Sequence, residues 1–440
     1  MASVAVTGAR EAAFAALQSC EKQGAWSDQA IKNESKRFGL SPRDAALAAN
    51  LCYGVVQNQL LLDFWIDHFS KTPAKQLDVP VRLSLRLGLY QLHFLDRVPA
   101  SAAVNESVNL VRKCTRNKGA AGLTNAVLRA FERAEKPPMP QSLAILHSHP
   151  QSLVELLEGE LGGSAEELLA LNNTPADLLI QVNTTKTKTA DLVAMLEQEG
   201  VSVRPHPWLD DCLIVTKTGD MELLESFKQG LFYVQDSAAK LAALVAEAKP
   251  GDTVLDLCAA PGGKSFACGV AMEGKGEILA RDLHENKLKR IRSGAKRLGL
   301  DCITAKAADA RQEQPELFEQ FRIVLADVPC SGLGIIRKKP DIRYKDLKAL
   351  EDLPEIQRDI LQNAAQFVQP GGVLIYSTCT VLRRENQAVV EAFLKANGNF
   401  VLERFALPEP IGQTDGQITL WPHIHGTDGF FIAKLRKTHG

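Results

Sequence analysis

The chain has 440 residues, of which 45% are apolar and 23% charged, with a formal net charge of −1. These values are typical of a soluble protein of two or three domains. Runs of about 20 apolar residues and a signal-peptide pattern are both missing, which predicts a cytoplasmic protein with no membrane association. The nine cysteines form no Cys-x-x-Cys pair and are odd in number, which argues against a zinc site or a disulfide framework and predicts no bound metal.

Residues 1 to about 135 show the apolar spacing of helices, as in Ala13, Ala16, Leu17 and Cys20. Ser41-Pro42 is typical of a helix start, with proline in the first turn. Bases outnumber acids between residues 82 and 118, so this stretch is either an RNA-facing surface or a solvated helix face. The seven bases are Arg82, Arg86, Arg97, Arg112, Lys113, Arg116 and Lys118, against the acids Asp96 and Glu106.

Consecutive prolines in residues 136–140 predict a hinge, because proline excludes helix. A helical connector is predicted over residues 152–171. A small α/β insert follows, with strands at 178–182, 201–203 and 213–215 and a helix at 191–199.

From residue 232 onward, apolar runs and helical segments alternate as in a doubly wound α/β domain. The predicted strands are residues 253–258, 277–281, 302–307, 323–326, 373–376, 400–404 and 430–435. Ligands in such sheets bind beyond the carboxyl ends of the strands.

The first of these strands leads into a glycine corner, Asp256-Leu-Cys-Ala-Ala-Pro-Gly-Gly-Lys-Ser265. A phosphate-binding P-loop requires glycine where Cys258 stands, and a G-x-G-x-x-G fingerprint does not fit the segment. The remaining template is the S-adenosylmethionine corner of a methyltransferase, in which the strand carries an acid such as Asp256.

Three further acids follow the ends of successive predicted strands. Asp282 lies about 20 residues beyond the glycine loop, where an acid can accept hydrogen bonds from ribose hydroxyls. Asp309 and Asp327 occupy the corresponding positions after the next two strands. Together they predict a ligand cleft along this edge of the sheet.

Two cysteines also stand at predicted strand ends, in Asp327-Val-Pro-Cys330 and in Ser377-Thr-Cys379. C5 of cytosine is a poor nucleophile, but addition of a thiolate to C6 turns C5 into an enamine-like carbon that attacks a methyl sulfonium. The addition also needs an acid or hydrogen bond at N3, a role that fits Asp327 if it is protonated or shares a proton with the base. Spacing alone leaves open which cysteine attacks.

The motif Asp-Leu-Cys-Ala-Ala-Pro-Gly-Gly-Lys and the two cysteine motifs resemble those of the RNA cytosine-5 methyltransferases. The segments 99–108 and 122–129 resemble the NusB-type helical RNA-binding domain, and the whole chain resembles the bacterial small-subunit ribosomal RNA methyltransferases of the Sun/Fmu type. The fold implied is a Rossmann-like methyltransferase domain (residues 231–440), preceded by a NusB-like domain (1–136) and a small α/β, RRM-like connector (145–230).

The resemblance also implies the roles of the site residues. Cys379 is the expected nucleophile, Cys330 assists release, Asp327 contacts N3 of the base, and Lys264 either holds a carbonyl or carboxylate near the site or caps the loop. In the same family the acid matching Asp309 lies near the adenine amine. The residues expected to bind S-adenosyl-L-methionine are Cys258, Ala259, Ala260, Pro261, Gly262, Gly263, Lys264, Asp282, Asp309 and Asp327.

The expected substrate is 16S ribosomal RNA or a small-subunit assembly intermediate, and the protein is expected to act as a monomer. The basic residues of the loop 335–343 are expected within reach of substrate phosphates, with Asp341 and Arg343 as possible organisers of that loop. A transfer RNA cytosine-5 methyltransferase remains an alternative, because the catalytic motifs are shared. A non-catalytic RNA-binding assembly factor is a third reading, which the presence of both cysteines and the glycine corner disfavours.

Overall fold

The computed structural model describes residues 8–438, which divide into two compact units. One unit runs to Thr174 and also contains Lys338–Lys345, a segment from late in the chain. The other comprises Pro175–Arg337 and the residues from Asp346 onward. Within the described residues, no helix is both long and apolar enough to cross a membrane.

The first unit is helical, as the apolar spacing predicted. Its α-helices are α1 (Gly8–Gln23), α2 (Ser27–Arg37), α3 (Pro42–Gln57), α4 (Gln59–Phe69), α5 (Val79–Phe94), α6 (Ala100–Cys114), α7 (Lys118–Arg133), α8 (Leu143–Leu146), α9 (Gln151–Leu161) and α10 (Glu166–Leu171). Ser41 caps α3 by accepting a hydrogen bond from the backbone N–H of Asp44, as its sequence predicted. Glycine at position 54 lets helices α3 and α5 approach closely. A Cβ there would lie 1.9 Å from the ring of Tyr90, so no side chain would fit.

Only some of the basic side chains between residues 82 and 118 are exposed. The Arg86 guanidinium is 5% exposed and makes two hydrogen bonds of 2.7 Å to the carboxylate of Asp63. Its neighbour Arg82 is paired with Glu21. Both side chains therefore stabilise the helical core, and the exposed bases of this stretch are Arg97, Arg112, Lys113, Arg116 and Lys118.

The segment Lys338–Lys345 packs into this helical unit through buried polar contacts. Arg343 Nη1 donates to the carbonyl of Gln57 at 2.7 Å and to Oδ1 of Asn173 at 2.8 Å. Burial lowers the pKa of Arg343 to about 10, despite the opposing effect of Tyr344 and Asp341. Arg343 thus organises the loop, as predicted, but the expectation that it reaches substrate phosphates is wrong because it is 1% exposed.

The second unit begins with a small antiparallel sheet, which confirms the α/β insert. Asn183, just after its first strand, donates to the carbonyls of Gly230 and Leu298, both at 2.9 Å, and so fixes the small sheet to the larger one. Helix α11 (Thr189–Gln198) covers the sheet. Its strands are β1 (Leu178–Val182), β2 (Ser202–Pro205), β3 (Cys212–Lys217) and β4 (Phe232–Val234), in the order β2-β3-β1-β4.

The large sheet has a parallel centre and an antiparallel edge, which confirms the doubly wound prediction. Its strands are β5 (Thr253–Asp256), β6 (Glu277–Asp282), β7 (Ile303–Ala307), β8 (Phe321–Asp327), β9 (Val368–Thr378), β10 (Phe400–Leu402), β13 (Gln417–Leu420) and β14 (Phe430–Lys437). The order is β10-β14-β9-β8-β5-β6-β7, with β13 beside β14, and the ladders among β5 to β9 are parallel. The order reverses direction at β5, so the adjoining strand ends form the crevice where ligands bind in such sheets.

The remaining elements of this unit cover the large sheet or extend its edge. Sequence analysis did not identify strand β13, because Gln417–Leu420 alternates polar and apolar residues over only four positions. A hairpin of β11 (Phe405–Leu407) and β12 (Gly412–Thr414) precedes it. The helices are α12 (Glu225–Lys228), α13 (Ser237–Val245), α14 (Gly263–Ala271), α15 (Glu285–Leu298), α16 (Leu353–Phe367), α17 (Gln387–Ala396) and α18 (Pro422–His425).

Candidate active site

The glycine corner turns the chain from β5 into α14. Gly262 has φ +113°, and a Cβ there would lie 2.5 Å from the ring of Phe266. Both observations require glycine, since an L side chain rarely adopts this φ and has no room beside the ring. The turn leaves the first N–H groups of α14 beyond the end of β5, where a helix N-terminus favours an anionic or polar ligand.

A cavity of about 200 Å³ lies at this corner. Of the residues predicted to bind the cofactor, those that line it are Cys258, Ala259, Ala260, Pro261, Gly263, Lys264 and Asp327. Gly262, Asp282 and Asp309 do not line it. Gln235 also lines the cavity, and the sequence analysis did not identify it. Its side chain is 6% exposed, and neither amide atom has a partner among the described residues, so the cavity wall carries an unused donor and acceptor.

Asp282 and Asp309 lie at or just beyond the carboxyl ends of β6 and β7. Asp282 accepts hydrogen bonds from the backbone N–H of Ala260, at 3.3 Å, and of His284, at 3.0 Å. Asp309 is held by the Arg311 guanidinium at 2.8 and 3.1 Å, and these hydrogen bonds lower its pKa. Asp282 therefore contacts the glycine loop directly, whereas Asp309 is committed to an ion pair.

Asp256, the last residue of β5, is hydrogen-bonded to Ser265 in the first turn of α14. It is 1% exposed and accepts a 2.7 Å hydrogen bond from Ser265 Oγ. Burial raises its pKa to about 7, against the smaller lowering effects of Ser265 and Lys264. Burial thus favours the neutral form of this carboxyl group more than in an exposed aspartate.

Lys264 and Asp327 form an ion pair in the cleft. Lys264 Nζ lies 2.6 Å from Asp327 Oδ2, and Ser377 Oγ donates to Asp327 Oδ1 at 2.8 Å. Burial by itself would lower the pKa of Lys264, but the charge and hydrogen bond of Asp327 raise it above its ordinary value. Lys264 is therefore a cation, and its Nζ also lies 5.1 Å from the centroid of the Phe430 ring.

This pairing changes the interpretation of Asp327. Both Asp327 oxygens already accept hydrogen bonds, one from Lys264 and one from Ser377, which disfavours an Asp327 that holds the N3 proton alone. The pair as a whole still carries one transferable proton, on Lys264. The sequence predicted that Lys264 either holds a carbonyl or carboxylate or caps the loop, but did not identify Asp327 as its partner, because 63 positions separate the two residues.

The two cysteines of the strand-end motifs meet in the same cleft. Their Sγ atoms are 3.3 Å apart, close enough for a thiol of one to donate to the sulfur of the other. Two effects raise the pKa of Cys330 well above its ordinary value. The larger is the hydrogen bond with Cys379, and the second is burial. The neutral thiol form of Cys330 is therefore favoured.

Backbone contacts hold Cys379 in position. Its carbonyl accepts a 3.0 Å hydrogen bond from the N–H of Gly334, in the loop that follows Cys330. Gly334 in turn accepts one from Gly429 at 2.8 Å, and a Cβ at Gly334 would lie 1.9 Å from the Gly429 carbonyl oxygen. The cleft therefore depends on a glycine–glycine contact as well as on the side chains.

A buried carboxylate, Glu385, supports the Cys330 loop and was missed from the sequence. Its Oε2 accepts hydrogen bonds of 2.9 Å from the N–H of Ser331 and from Nε2 of Gln357. The same Gln357 nitrogen donates to the carbonyl of Pro329 at 3.0 Å, so both neighbours of Cys330 are fixed. The residue follows the second cysteine motif by six positions, but nothing in local spacing indicates this long-range contact.

We expect Glu385→Ala to lower the single-turnover rate of the RNA methyl transfer that the sequence motifs predict by about 10- to 100-fold, because a displacement of about 1 Å at a reacting group is enough for such a loss. Glu385→Gln retains one acceptor oxygen and should lose less. The measurement is the rate at saturating RNA beside the Kd for RNA. A variant with a normal rate and weakened RNA binding would contradict the assignment of Glu385 as a positioning residue.

Metal-ligating side chains do not form a cluster of three or more anywhere in the described part of the chain. The cleft instead combines two adjacent sulfurs, an ion pair, and a cavity under a glycine corner. Such a set of groups is suited to covalent chemistry by a thiolate with a proton donor nearby.

Comparison with known proteins gives consistent matches along the chain. Three family models match successive segments, namely the NusB family (residues 7–133), the RsmF/B-like ferredoxin-like domain (149–222) and 16S rRNA methyltransferase RsmB/F (243–436). The chain is 37% identical to the probable ribosomal RNA small subunit methyltransferase B of Bacillus subtilis, over 98% of this chain and 99% of that protein. It is 34% identical to ribosomal RNA small subunit methyltransferase B of Vibrio cholerae, over 91% of each.

Solved structures are similar as well. The crystal structure of PH0851 superposes with a TM-score of 0.81 at 28% identity, over 99% of this chain and 100% of that one. NSun6 from Pyrococcus horikoshii, solved with SFG, an analogue of S-adenosylmethionine, gives a TM-score of 0.56 at 25% identity. That match covers 66% of this chain and 99% of the other.

Proposed function

Because this chain belongs to the 16S rRNA methyltransferase RsmB/F family, and is thus an RNA methyltransferase, we propose that it methylates C5 of a cytosine in small-subunit ribosomal RNA, with S-adenosylmethionine as donor. The observation that carries the C5 chemistry is the 3.3 Å contact between the sulfurs of Cys330 and Cys379. Methylation of an exocyclic amine needs no cysteine nucleophile, whereas methylation of C5 does.

The cavity at the glycine corner supports the choice of donor. The unpartnered Gln235 amide offers a donor and an acceptor to a polar ligand, and Asp282 contacts the loop that borders the cavity. We propose that the donor is held by Gln235, by Asp282 and by the loop residues from Cys258 to Lys264. S-adenosylmethionine supplies an electrophilic methyl group on a sulfonium.

In the proposed mechanism, the thiolate of Cys379 bonds to C6 of cytosine. The electrons of the C5–C6 double bond shift toward N3, which takes up a proton from the Lys264–Asp327 pair. Two features support this role for the pair, namely its 2.6 Å contact and the raised pKa that keeps Lys264 protonated. C5, now part of a C4–C5 enamine, supplies the electron pair for the new carbon–carbon bond to the methyl group, while the sulfonium–methyl bond breaks and its electrons return to the donor sulfur.

Release requires the opposite change at C6. Loss of the C5 proton to a base re-forms the C5–C6 double bond and expels the Cys379 sulfur as a thiolate, and N3 returns its proton to the Lys264–Asp327 pair. The Cys330 thiol, 3.3 Å from that sulfur, hydrogen-bonds the departing thiolate and so assists release. The choice of Cys379 as nucleophile also rests on the family resemblance of its Thr-Cys motif.

The test is a methylation assay with labelled S-adenosylmethionine and three RNAs: naked 16S ribosomal RNA, a partly assembled small-subunit particle, and total transfer RNA. Nucleoside digestion then identifies the product. We expect 5-methylcytidine in the ribosomal RNA or the particle. Methylation confined to transfer RNA would support the alternative substrate, and stable RNA binding without any methylated nucleoside would support an assembly factor.

A further inference from the structure

The helical unit contains a second and larger cavity, of about 460 Å³, lined by none of the residues proposed for catalysis. This volume falls within the ~300–1,000 Å³ of small-molecule sites. Its lining is part apolar and part polar, and the residues are Leu17, Cys20, Glu21, Gly24, Ala25, Trp26, Val56, Gln59, Leu83, Arg86, Asp341, Tyr344 and Lys345.

Trp26 is the most exposed aromatic side chain in this lining. Its side chain is 43% exposed, although tryptophan is usually well buried. The next residue, Ser27, is fixed by Asp341, which accepts from the Ser27 N–H at 3.0 Å and from its Oγ at 2.5 Å. The indole is therefore an exposed apolar plane on an ordered backbone.

Two lysine ammonium groups lie over this ring. Lys345 Nζ is 5.5 Å and Lys339 Nζ 6.0 Å from the centroid of the Trp26 ring. Both belong to the segment 338–345, in which five of the eight residues are basic, at positions 338, 339, 343 and 345, or aromatic, at 344. An exposed aromatic ring flanked by cations is the combination that binds unpaired nucleotides, since every base has a π-face and every nucleotide a phosphate.

The lining of the cavity also carries polar groups. Gln59 contributes an amide that donates and accepts, and the Asp341 carboxylate accepts hydrogen bonds. Arg86 is held in place by Asp63. Such groups suit the polar edge of a base, whereas Leu17 and Leu83 provide apolar contact.

We propose that this cavity binds one unpaired base of the RNA substrate, with the base stacked on Trp26 and the adjoining phosphates on Lys339 and Lys345. The inference rests on the proposed function for the presence of RNA, and extends it by assigning an RNA contact outside the catalytic motifs. A protein partner is disfavoured by the two ammonium groups at the rim, because lysine is depleted in protein interfaces.

The test measures the Kd for naked 16S ribosomal RNA at several salt concentrations. Trp26→Ala should weaken binding by about 10-fold or more, as expected for the loss of one base stack, and Trp26→Phe should restore most of it. Replacing both Lys339 and Lys345 by alanine should reduce the slope of log Kd against log salt by about 1.4, or about 0.7 per phosphate contact. The charge-matched control is the double variant Lys71→Ala, Lys75→Ala, which changes two exposed lysines of the same unit.

A crosslinking experiment on the wild-type protein tests the same proposal without a substitution, so its result does not depend on whether a variant folds. RNA containing 4-thiouridine, irradiated in the complex, should crosslink to the peptide that contains Trp26 or to the segment 338–345. Binding of Trp26→Ala within twofold of wild type, or crosslinks confined to other peptides, would overturn the proposal. Neither readout requires methyl transfer, so absence of 5-methylcytidine would count against the proposed function and leave the pocket to be decided by these two results.

Discussion

Cys379→Ala is expected to lower the single-turnover rate of methyl transfer to RNA by on the order of 10⁴-fold or more, which is the scale of losing a covalent nucleophile. Without the thiolate, C6 has no partner and C5 keeps its low nucleophilicity. The alanine side chain is smaller and the site is half-buried, so the fold should tolerate the change. RNA affinity should stay close to wild type.

The measurement is the rate of label incorporation at saturating RNA, with RNA Kd and thermal stability recorded in parallel. Cys302→Ala is the matched control, since Cys302 is a half-buried cysteine of the same unit that lies outside the cleft. A Cys379→Ala protein that methylates RNA at more than a tenth of the wild-type rate would exclude Cys379 as the nucleophile.

Asp327→Asn should reduce the rate by about 10²- to 10⁴-fold, the range of a lost general acid or base. The substitution keeps the shape of the side chain but removes the negative charge that faces Lys264 at 2.6 Å. Without the charge of Asp327 to oppose it, burial lowers the pKa of Lys264. Lys264 therefore loses its proton at a lower pH in this variant than in the wild-type protein.

The pH–rate profile distinguishes this effect from a simple structural defect. Activity that depends on protonated Lys264 is present below its pKa and declines as pH rises through it, so the alkaline limb should move to lower pH in Asp327→Asn. Lys264→Met, Asp327→Asn and their combination should be far from additive, because the two residues act as one unit. An unchanged alkaline limb, or additive losses, would contradict the proton-transfer role of the pair.

Much of the fold follows from patterns that are local in the chain. The apolar runs at β5 and β8 predict buried strands, and Asp256 and Asp327 mark their ends. Because parallel strands all present their carboxyl ends on one edge, the cysteine motifs after β8 and at β9 could be assigned to one cleft before their positions were known.

Contacts between residues distant in sequence could not be predicted in this way. The buried Glu385 and Arg343 are examples, because each satisfies hydrogen-bond groups on elements that sequence spacing does not relate. Polar residues are most often exposed, so a sequence reading assigns both to the surface. The segment 338–345 shows the consequence, since its basic composition indicated phosphate contacts while Arg343 is enclosed by backbone carbonyls.

The covalent mechanism is tested most directly by incubating Cys330→Ala and Cys379→Ala proteins with S-adenosylmethionine and small-subunit ribosomal RNA and resolving the products on a denaturing gel. The account predicts that Cys330→Ala accumulates a protein–RNA band, because the Cys379 sulfur leaves more slowly without its hydrogen-bond partner at 3.3 Å. Cys379→Ala should form no such band and transfer no methyl group. A band with Cys379→Ala and none with Cys330→Ala would instead identify Cys330 as the nucleophile, and normal methylation by both proteins would contradict covalent catalysis altogether.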